Sequence, residues 1–366
     1  MSPASRSRRP SAGDEVATLA NLMESVTRER RPPAPGVLSG DSADVYFRRA
    51  EEILAGEGMD PVVVMEVFSR SEGILCGIDE ARVLLAHVLG GGDEEAVVES
   101  LSDGDTCSSR EVVMRIKARY RAFGLYETAI LGMLAQSTGW TNAARECVEA
   151  AAPEPVISFG ARHVHPHITD ALDYAAIVGG CVGASTPAGA RLAGLAPTGT
   201  MPHSLVLVIG DTVRAAEAFD RHVAPDVPRI VLVDTFKDEA EESLRVARAL
   251  GDRLYGVRLD TPSERGRVTA DLVREVRARL DLDGFDHVKI IVSGGLTPDR
   301  IRYFKEAGSQ VDYFAVGSYI SGASPIDFTG DLKEIDGEAI AKRGRIPGVT
   351  PSPRLQHVDL EDWQPG

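Results

Sequence analysis

The sequence predicts an α/β protein: an α/β barrel, complete or incomplete, beside an α+β sandwich domain formed by the N-terminal part of the chain and its C-terminal tail. Three observations carry this. After residue 155, short apolar runs alternate with amphipathic helical segments at the spacing of parallel βαβ units. Those runs are continuously apolar, as strands buried on both faces are. Each run also ends in polar or glycine residues, namely Asp234, Asp260, Ser293-Gly294-Gly295 and Gly317-Ser318. The carboxyl rim of an α/β barrel is where its active site forms.

In chain order, residues 1–36 read as an extra arm, either disordered or a docked helix. Ser, Arg and Pro dominate 1–12, Val16 to Val26 keep helical spacing within 14–30, and Arg31-Pro32-Pro33-Ala34-Pro35-Gly36 breaks it. Residues 37–150 form the sandwich domain, with strands from Val62 to Phe68 and Val112 to Tyr120 and helices over 123–136 and 140–151. Residues 151–325 form the barrel. Its strands are 229–234, 255–260, 288–293 and 312–317, with Val156-Ile157-Ser158 and Gly180-Cys181-Val182 as earlier candidates. Helices follow from 238, near 268–280, and from Pro298. Residues 326–366 return to the sandwich domain as short strands.

Bulk properties narrow the function classes. The chain has 366 residues, room for two domains and a large core, and is 43% hydrophobic and 26% charged. A net charge of -15 argues against nucleic acid or an anionic membrane as partner. Cys76, Cys107, Cys147 and Cys181 form no CxxC pair, so neither zinc nor dithiol redox chemistry is expected, and a reducing cytoplasm fits. No apolar run approaches the ~20 residues needed to span a bilayer, and the start lacks the apolar centre of a signal peptide.

Two segments concentrate chemistry. Gly199-Thr200-Met201-Pro202-His203-Ser204 sets a histidine beside small hydroxyl residues. Phe159-Gly160-Ala161-Arg162 sets an aromatic face three residues before a guanidinium. Together they suggest a site for a flat anionic ring and a phosphorylated partner. Each residue has a plainer reading: Asp234 and Asp260 as helix N-caps, Phe159 as a core aromatic, Arg162 or Arg258 in a surface ion pair, and His203 as a structural hydrogen-bonder. The tract His163-Val164-His165-Pro166-His167 could face alternate histidines one way on an extended segment, but no Cys or carboxylate joins it at ligand spacing. Lys117, Arg119, Arg121, Lys342 and Arg343 need no reading beyond surface charge.

An ordered series of short motifs resembles nicotinate phosphoribosyltransferase, in the shorter form of that type II phosphoribosyltransferase family. It runs Asp44-Val45-Tyr46-Phe47, Tyr126-Glu127-Thr128, Phe159 to His163, Gly183-Ala184-Ser185-Thr186, Gly199 to Ser204, Val233 to Phe236, Val257 to Pro262, Ser293 to Leu296 and Val316-Gly317-Ser318. The resemblance covers roughly residues 40–348. It implies transfer of a phosphoribosyl group from phosphoribosyl diphosphate to nicotinate, giving nicotinate mononucleotide and diphosphate for NAD synthesis. In many members ATP is a co-substrate through a phosphohistidine.

The resemblance also implies roles. His203 is the phosphorylated histidine, and Asp234 and Asp260 bind the sugar hydroxyls and Mg²⁺. Phe159 stacks on the pyridine ring, and Tyr46 of a second copy covers the other face in a homodimer or larger assembly with shared sites. Arg162 and Arg258 hold the carboxylate and the ribose phosphate, with Thr186 and Thr261 beside the substrate. Ser293, Gly294, Gly295, Gly317 and Ser318 cradle the 5′-phosphate. Ser185, where the related nicotinamide enzymes are expected to carry an Asp, donates to a carboxylate and so favours the acid over the amide. The plainer reading of Ser185 is a helix N-cap before Pro187.

Departures from the pattern are informative. No cysteine follows Cys181, so the cysteine knuckle of some relatives, and its zinc, is not expected. Glu264 stands where a small or basic residue is expected. The competing readings are a quinolinate or nicotinamide phosphoribosyltransferase and a catalytically silent nucleotide-binding relative. A barrel lyase would want a Schiff-base lysine at a strand end, and Lys289 lies within its strand.

Overall fold

The computed structural model describes residues 29–90 and 96–364. The helix expected at 14–30 and most of the arm expected at 1–36 lie outside the described residues; Pro35–Leu38 form one helical turn. In chain order the strands are β1 Val62–Ser69, β2 Gly73–Ile74, β3 Val97–Ser100, β4 Thr106–Cys107, β5 Val112–Arg119, β6 Val156–Ser158, β7 Arg229–Leu232, β8 Leu254–Leu259, β9 Lys289–Val292, β10 Tyr313–Val316, β11 Phe328–Ile335, β12 Glu338–Ala339 and β13 Gln356–Val358. The chain divides into two compact units, Glu29–Ala143 with Ala323–Gly366, and Ala144–Gly322.

The first unit is built on a six-stranded antiparallel sheet in the order β12-β11-β1-β5-β3-β13, with β2 and β4 as a separate ribbon. Its centre, β1, pairs on one side with β5 and on the other with β11, so the tail supplies a strand to the N-terminal sheet. Register places Met65 opposite Ile116 and Val67 opposite Met114. With Val63 and Ala118 these form one apolar face, covered by Ile78, Ala81, Leu84, Leu85 and Leu89 of the helix Ile78–Leu89. On the other face Arg115 donates twice to the buried Glu66, at 2.9 and 3.1 Å. The turn into that helix requires glycine: Gly77 has φ +94°, and a Cβ there would sit 2.5 Å from the Met133 carbonyl oxygen.

The second unit carries five parallel strands in the order β6-β10-β9-β8-β7. Beyond β6 there is a single bridge, Ile157 to Gly183, and the described residues place no strand between β6 and β7, so the barrel is incomplete. Register sets Leu232 beside Arg258, and Arg258 beside Ile291. Side chains two residues apart on a strand share a face, so continuing each strand by two residues brings Asp234, Asp260 and Ser293 to the same face at the carboxyl rim. Helices Glu239–Leu250, Ala270–Leu282 and Pro298–Glu306 follow β7, β8 and β9, capped by the side chains of Asp238, Thr269 and Thr297.

Some elements differ from expectation. The helices expected at 123–136 and 140–151 are one helix, Glu127–Ala151, after a 3-10 turn. Its glycines do not break it: Gly132 has open space, and Gly139 admits the close approach of the Ser324 carbonyl, so packing outweighs helix propensity. Gly180-Cys181-Val182 is not a strand; Gly180 turns at φ +105° and only Gly183 bridges. Among the described residues no helix is long and apolar enough to cross a membrane. All four cysteines are buried and form no disulfide, and burial pushes the Cys147 thiol up to about 12.

Candidate active site

At the barrel rim Asp234, Asp260 and Ser293, from three strand ends, gather beside His203. His203 opens the helix His203–Ile209, so its ring is fixed by the turn after Pro202. Its Nδ1 lies 3.1 Å from Thr235 Oγ1, and its Nε2 lies 3.6 Å from Asp234 Oδ2 and 3.5 Å from Asp260 Oδ2. Asp260 also accepts from Ser293 Oγ at 2.8 Å and pairs with Arg258 at 3.4 Å. Arg258 donates to Thr200 Oγ1 at 2.7 Å, and its guanidinium lies 5.7 Å above the Phe159 ring.

The electrostatics separate the two carboxylates. Burial pushes Asp234 up, reinforced by the charge of Asp260. Burial also opposes ionisation of Asp260, but His203, Arg258 and Ser293 together hold it below the usual range. The hydrogen bond to Asp260 raises His203 against burial, with the charge of Asp234 behind it. Burial, then Arg162, lowers Arg258. Two carboxylates driven apart in this way are suited to different tasks. Asp234 Oδ1 and Arg258 Nε are buried with no hydrogen-bond partner, a costly state that a bound ligand would relieve.

Neither aspartate is a helix cap: Asp238 caps the helix after β7, and the helix after β8 is capped by Thr269. Nor does Ser185 cap. Thr186 does, accepting from Gly189 N at 3.1 Å. The fully buried Asp173 holds this turn, accepting from Thr186 N and Oγ1 at 2.8 Å each. Ser158 Oγ at 3.3 Å and Ser185 Oγ at 3.4 Å complete its shell. The single Ser185 hydrogen is thus directed at Asp173 in this structure.

The remaining expected residues fall as follows. Thr261 is buried and donates to Glu239 Oε1 at 2.7 Å. Gly294 lies against the Asp260 carboxylate, since a Cβ there would be 3.0 Å from Asp260 Oδ1. Gly317 abuts the Phe159 carbonyl and the His163 ring. Ser318 is exposed at the start of a single helical turn, and Arg162 is exposed. Tyr46 belongs to the other unit; it is 57% exposed and donates to Asp44 Oδ2 at 3.1 Å. The histidine tract is not extended but folds into two 3-10 turns, with His165 Nδ1 accepting from the His167 amide. Glu264 is exposed and engaged by its own backbone N–H and by Ser263.

Two contributors carried no sequence signal: Asp173 and Glu239. Among the described residues no three His, Cys, Asp or Glu side chains are arranged to hold a metal. A 440 Å³ cavity lined by Asp226, Arg229, Asp252, Tyr255 and His287 lies at the opposite, amino ends of β7 and β8.

Comparison with known proteins agrees with this architecture. The model of the quinolinate phosphoribosyl transferase N-terminal domain matches residues 44–138, and that of its C-terminal domain matches 141–331. The crystal structure of nicotinate-nucleotide pyrophosphorylase from Pyrococcus furiosus is 40% identical, with a TM-score of 0.78 over 88% of this chain and 82% of that one. Nicotinate phosphoribosyltransferase pncB2 of Mycobacterium tuberculosis is 30% identical over 318 residues, 82% of this chain and 66% of that protein. The nicotinate phosphoribosyltransferase of Bacillus subtilis is 28% identical over 60% of this chain and 44% of its own length. The chain therefore spans between about half and two thirds of these two curated relatives.

Proposed function

The chain belongs to the quinolinate phosphoribosyl transferase family of type II phosphoribosyltransferases, and from that membership we propose that it transfers the phosphoribosyl group of phosphoribosyl diphosphate to nicotinate. The curated relatives named for that activity support the choice of base. The observation that carries the chemistry is the cluster of His203, Asp234, Asp260 and Arg258 with two unsatisfied buried polar atoms in it.

The pyridine nitrogen lone pair forms the new bond to the ribose anomeric carbon. The bond to the diphosphate oxygen breaks, and diphosphate leaves with that electron pair. Positive charge develops on the sugar in between, and a carboxylate held ionised stabilises it. Asp260, kept ionised by His203, Arg258 and Ser293, suits that task. Phe159 gives the ring an apolar face beside the Arg258 guanidinium, which restricts its approach. Arg162 and Arg258 offer forks for the carboxylate and a phosphate.

Mg²⁺ fits the donor set. Asp234 Oδ1 is a hard oxygen without a partner, and Mg²⁺ commonly binds through one or two carboxylates plus substrate phosphates. Asp234, with Asp260, would hold it, and the ion would neutralise charge on the diphosphate. In an ATP-coupled form, the lone pair of neutral His203 Nε2, the nitrogen facing both carboxylates, would bond the γ-phosphorus of ATP while its bond to the bridging oxygen breaks and ADP leaves with that electron pair. Tyr46 lies on a helix, Val45–Gly56, that buries none of its residues and exposes Val45, Tyr46 and Ile53. A second copy covering that ridge would bring Tyr46 to a shared site.

Quinolinate is the second reading, favoured by the names of the matching family models. The test is product formation from phosphoribosyl diphosphate with Mg²⁺ and nicotinate, nicotinamide or quinolinate, each with and without ATP. Product from nicotinate, lost by at least about 100-fold in Asp260→Asn, is the expected result. Product from quinolinate alone would move the assignment to the second reading, and none from any base would leave a silent relative.

A further inference from the structure

We propose that Arg267 is a phosphate-contacting residue of the donor site, its guanidinium closing the Ser293–Gly295 turn into a cradle for a phosphate of the phosphoribosyl donor; this rests on the phosphoribosyl-transfer reading. Gly295 has φ +64°, and a Cβ built there would lie 2.0 Å from Arg267 Nη1 and 3.1 Å from its Cζ. The guanidinium therefore lies directly on the Gly295 backbone. One residue earlier, Gly294 touches Asp260. The two glycines thus carry the reacting-centre carboxylate on one side and a cation on the other.

The backbone supports a specific placement. Arg267 has φ +64°, one of only three non-glycine residues with positive φ among the described residues. An L-residue there is strained, and such outliers cluster at ligand sites. Pro262 O fixes the loop by accepting from the amides of both Arg265 and Arg267, at 3.1 Å each. The Arg267 side chain is exposed and makes no hydrogen bond or ion pair among the described residues, unlike Arg258 and Arg265. Its charge is felt by Glu264, but that carboxylate is exposed and already engaged by its own backbone N–H and by Ser263, so the planar fork lying on the Gly295 turn is complementary to phosphate. It also supplies the basic group that Glu264, two positions beyond Pro262, does not.

The test uses the full chain with Arg267→Gly, which relaxes the left-handed backbone while removing the cation, and Arg267→Lys, which keeps charge but loses the fork. Binding of ribose 5-phosphate and of inorganic diphosphate is measured separately, alongside steady-state kinetics. Arg267→Gly should raise KM for phosphoribosyl diphosphate about tenfold or more, leave KM for the base within about twofold, and leave the melting temperature unchanged or higher, with partial recovery in Arg267→Lys. Loss confined to ribose 5-phosphate places the contact on the 5′-phosphate, and loss confined to diphosphate places it on the leaving group. Unchanged binding of both probes and an unchanged KM would overturn the proposal. Wild-type protein that binds the probes through Arg267 yet converts no base would refute the proposed function and leave this inference standing.

Discussion

The hydroxyl of Thr261 donates to the carboxylate of Glu239 at 2.7 Å, with both side chains almost fully buried. The bond ties the residue after Asp260 to the first residue of the helix that follows Asp234, so it couples the loops carrying the two carboxylates. Thr261→Val would leave Glu239 with only the longer pairing to Arg265 at 3.6 Å. The expected outcome is a loss of about 1–3 kcal/mol in stability and a fall in kcat/KM, with Thr261→Ser restoring both. Urea denaturation and steady-state kinetics on the two variants check it; an inactive Thr261→Ser with normal stability would contradict the coupling.

Ser185→Asp places a second carboxylate against Asp173, whose carboxyl burial already pushes up. Nicotinate use should fall about tenfold or more, and by more than nicotinamide use, because the new charge opposes the substrate carboxylate. The variant should also lose stability at neutral pH and regain it as pH falls. A carboxyl whose folded pKa is raised binds its proton more tightly when folded, so its penalty is complete above the folded value and absent below the unfolded one. Equal losses for both bases would sink the carboxylate contact.

Any ATP stimulation should rise with pH. His203 must be neutral at Nε2 to accept a phosphoryl group, and the Asp260 hydrogen bond raises its pKa above the ordinary 6.5. Activity with ATP, divided by activity without it, should therefore increase through and above that value. In His203→Ala the ratio should stay at one throughout. A ratio that falls with rising pH would contradict phosphorylation of a neutral imidazole.

Glu127, in the sandwich unit, is raised from 4.5 to about 7, first by burial and then by the charge of Asp331. Its folded pKa exceeds its unfolded one, so it erodes stability as pH climbs from the unfolded value to about 7. Glu127→Gln should stabilise the protein at pH 8 by about 1–2 kcal/mol after allowance for partial solvent screening, with almost no effect at pH 4. Melting temperatures at several pH values would test this, and a constant difference between variant and wild type would refute it.

The barrel strands were legible because buried parallel strands are written as unbroken apolar runs: Ile230 to Leu232 and Tyr313 to Val316 are buried throughout. Their polar ends could be read too, and Asp234, Asp260 and Ser293 do gather around His203. What escaped reading depends on tertiary partners. Asp173 and Glu239 sit in helices, where an acid usually signals a solvent face, yet both are buried against hydroxyl groups. Gly139 resembles a helix break until the Ser324 backbone is placed beside it. Arg267 is one arginine among many until its backbone sign and the glycine beneath it are known.

The pairing of β1 with β11 joins segments more than 250 residues apart, with the whole barrel unit between them. During synthesis the barrel segment emerges before β11 does. Until then one edge of β1 is without its neighbour, the exposed-edge condition that invites pairing with other chains. Formation of the sandwich sheet therefore waits for β11 to be synthesised, and a chaperone holding the nascent N-terminal segment would matter more here than for a protein whose first domain closes on itself. Chains stalled shortly before residue 328 should show a protease-resistant barrel and a protease-sensitive N-terminal segment; equal protection of both would argue against this order of assembly.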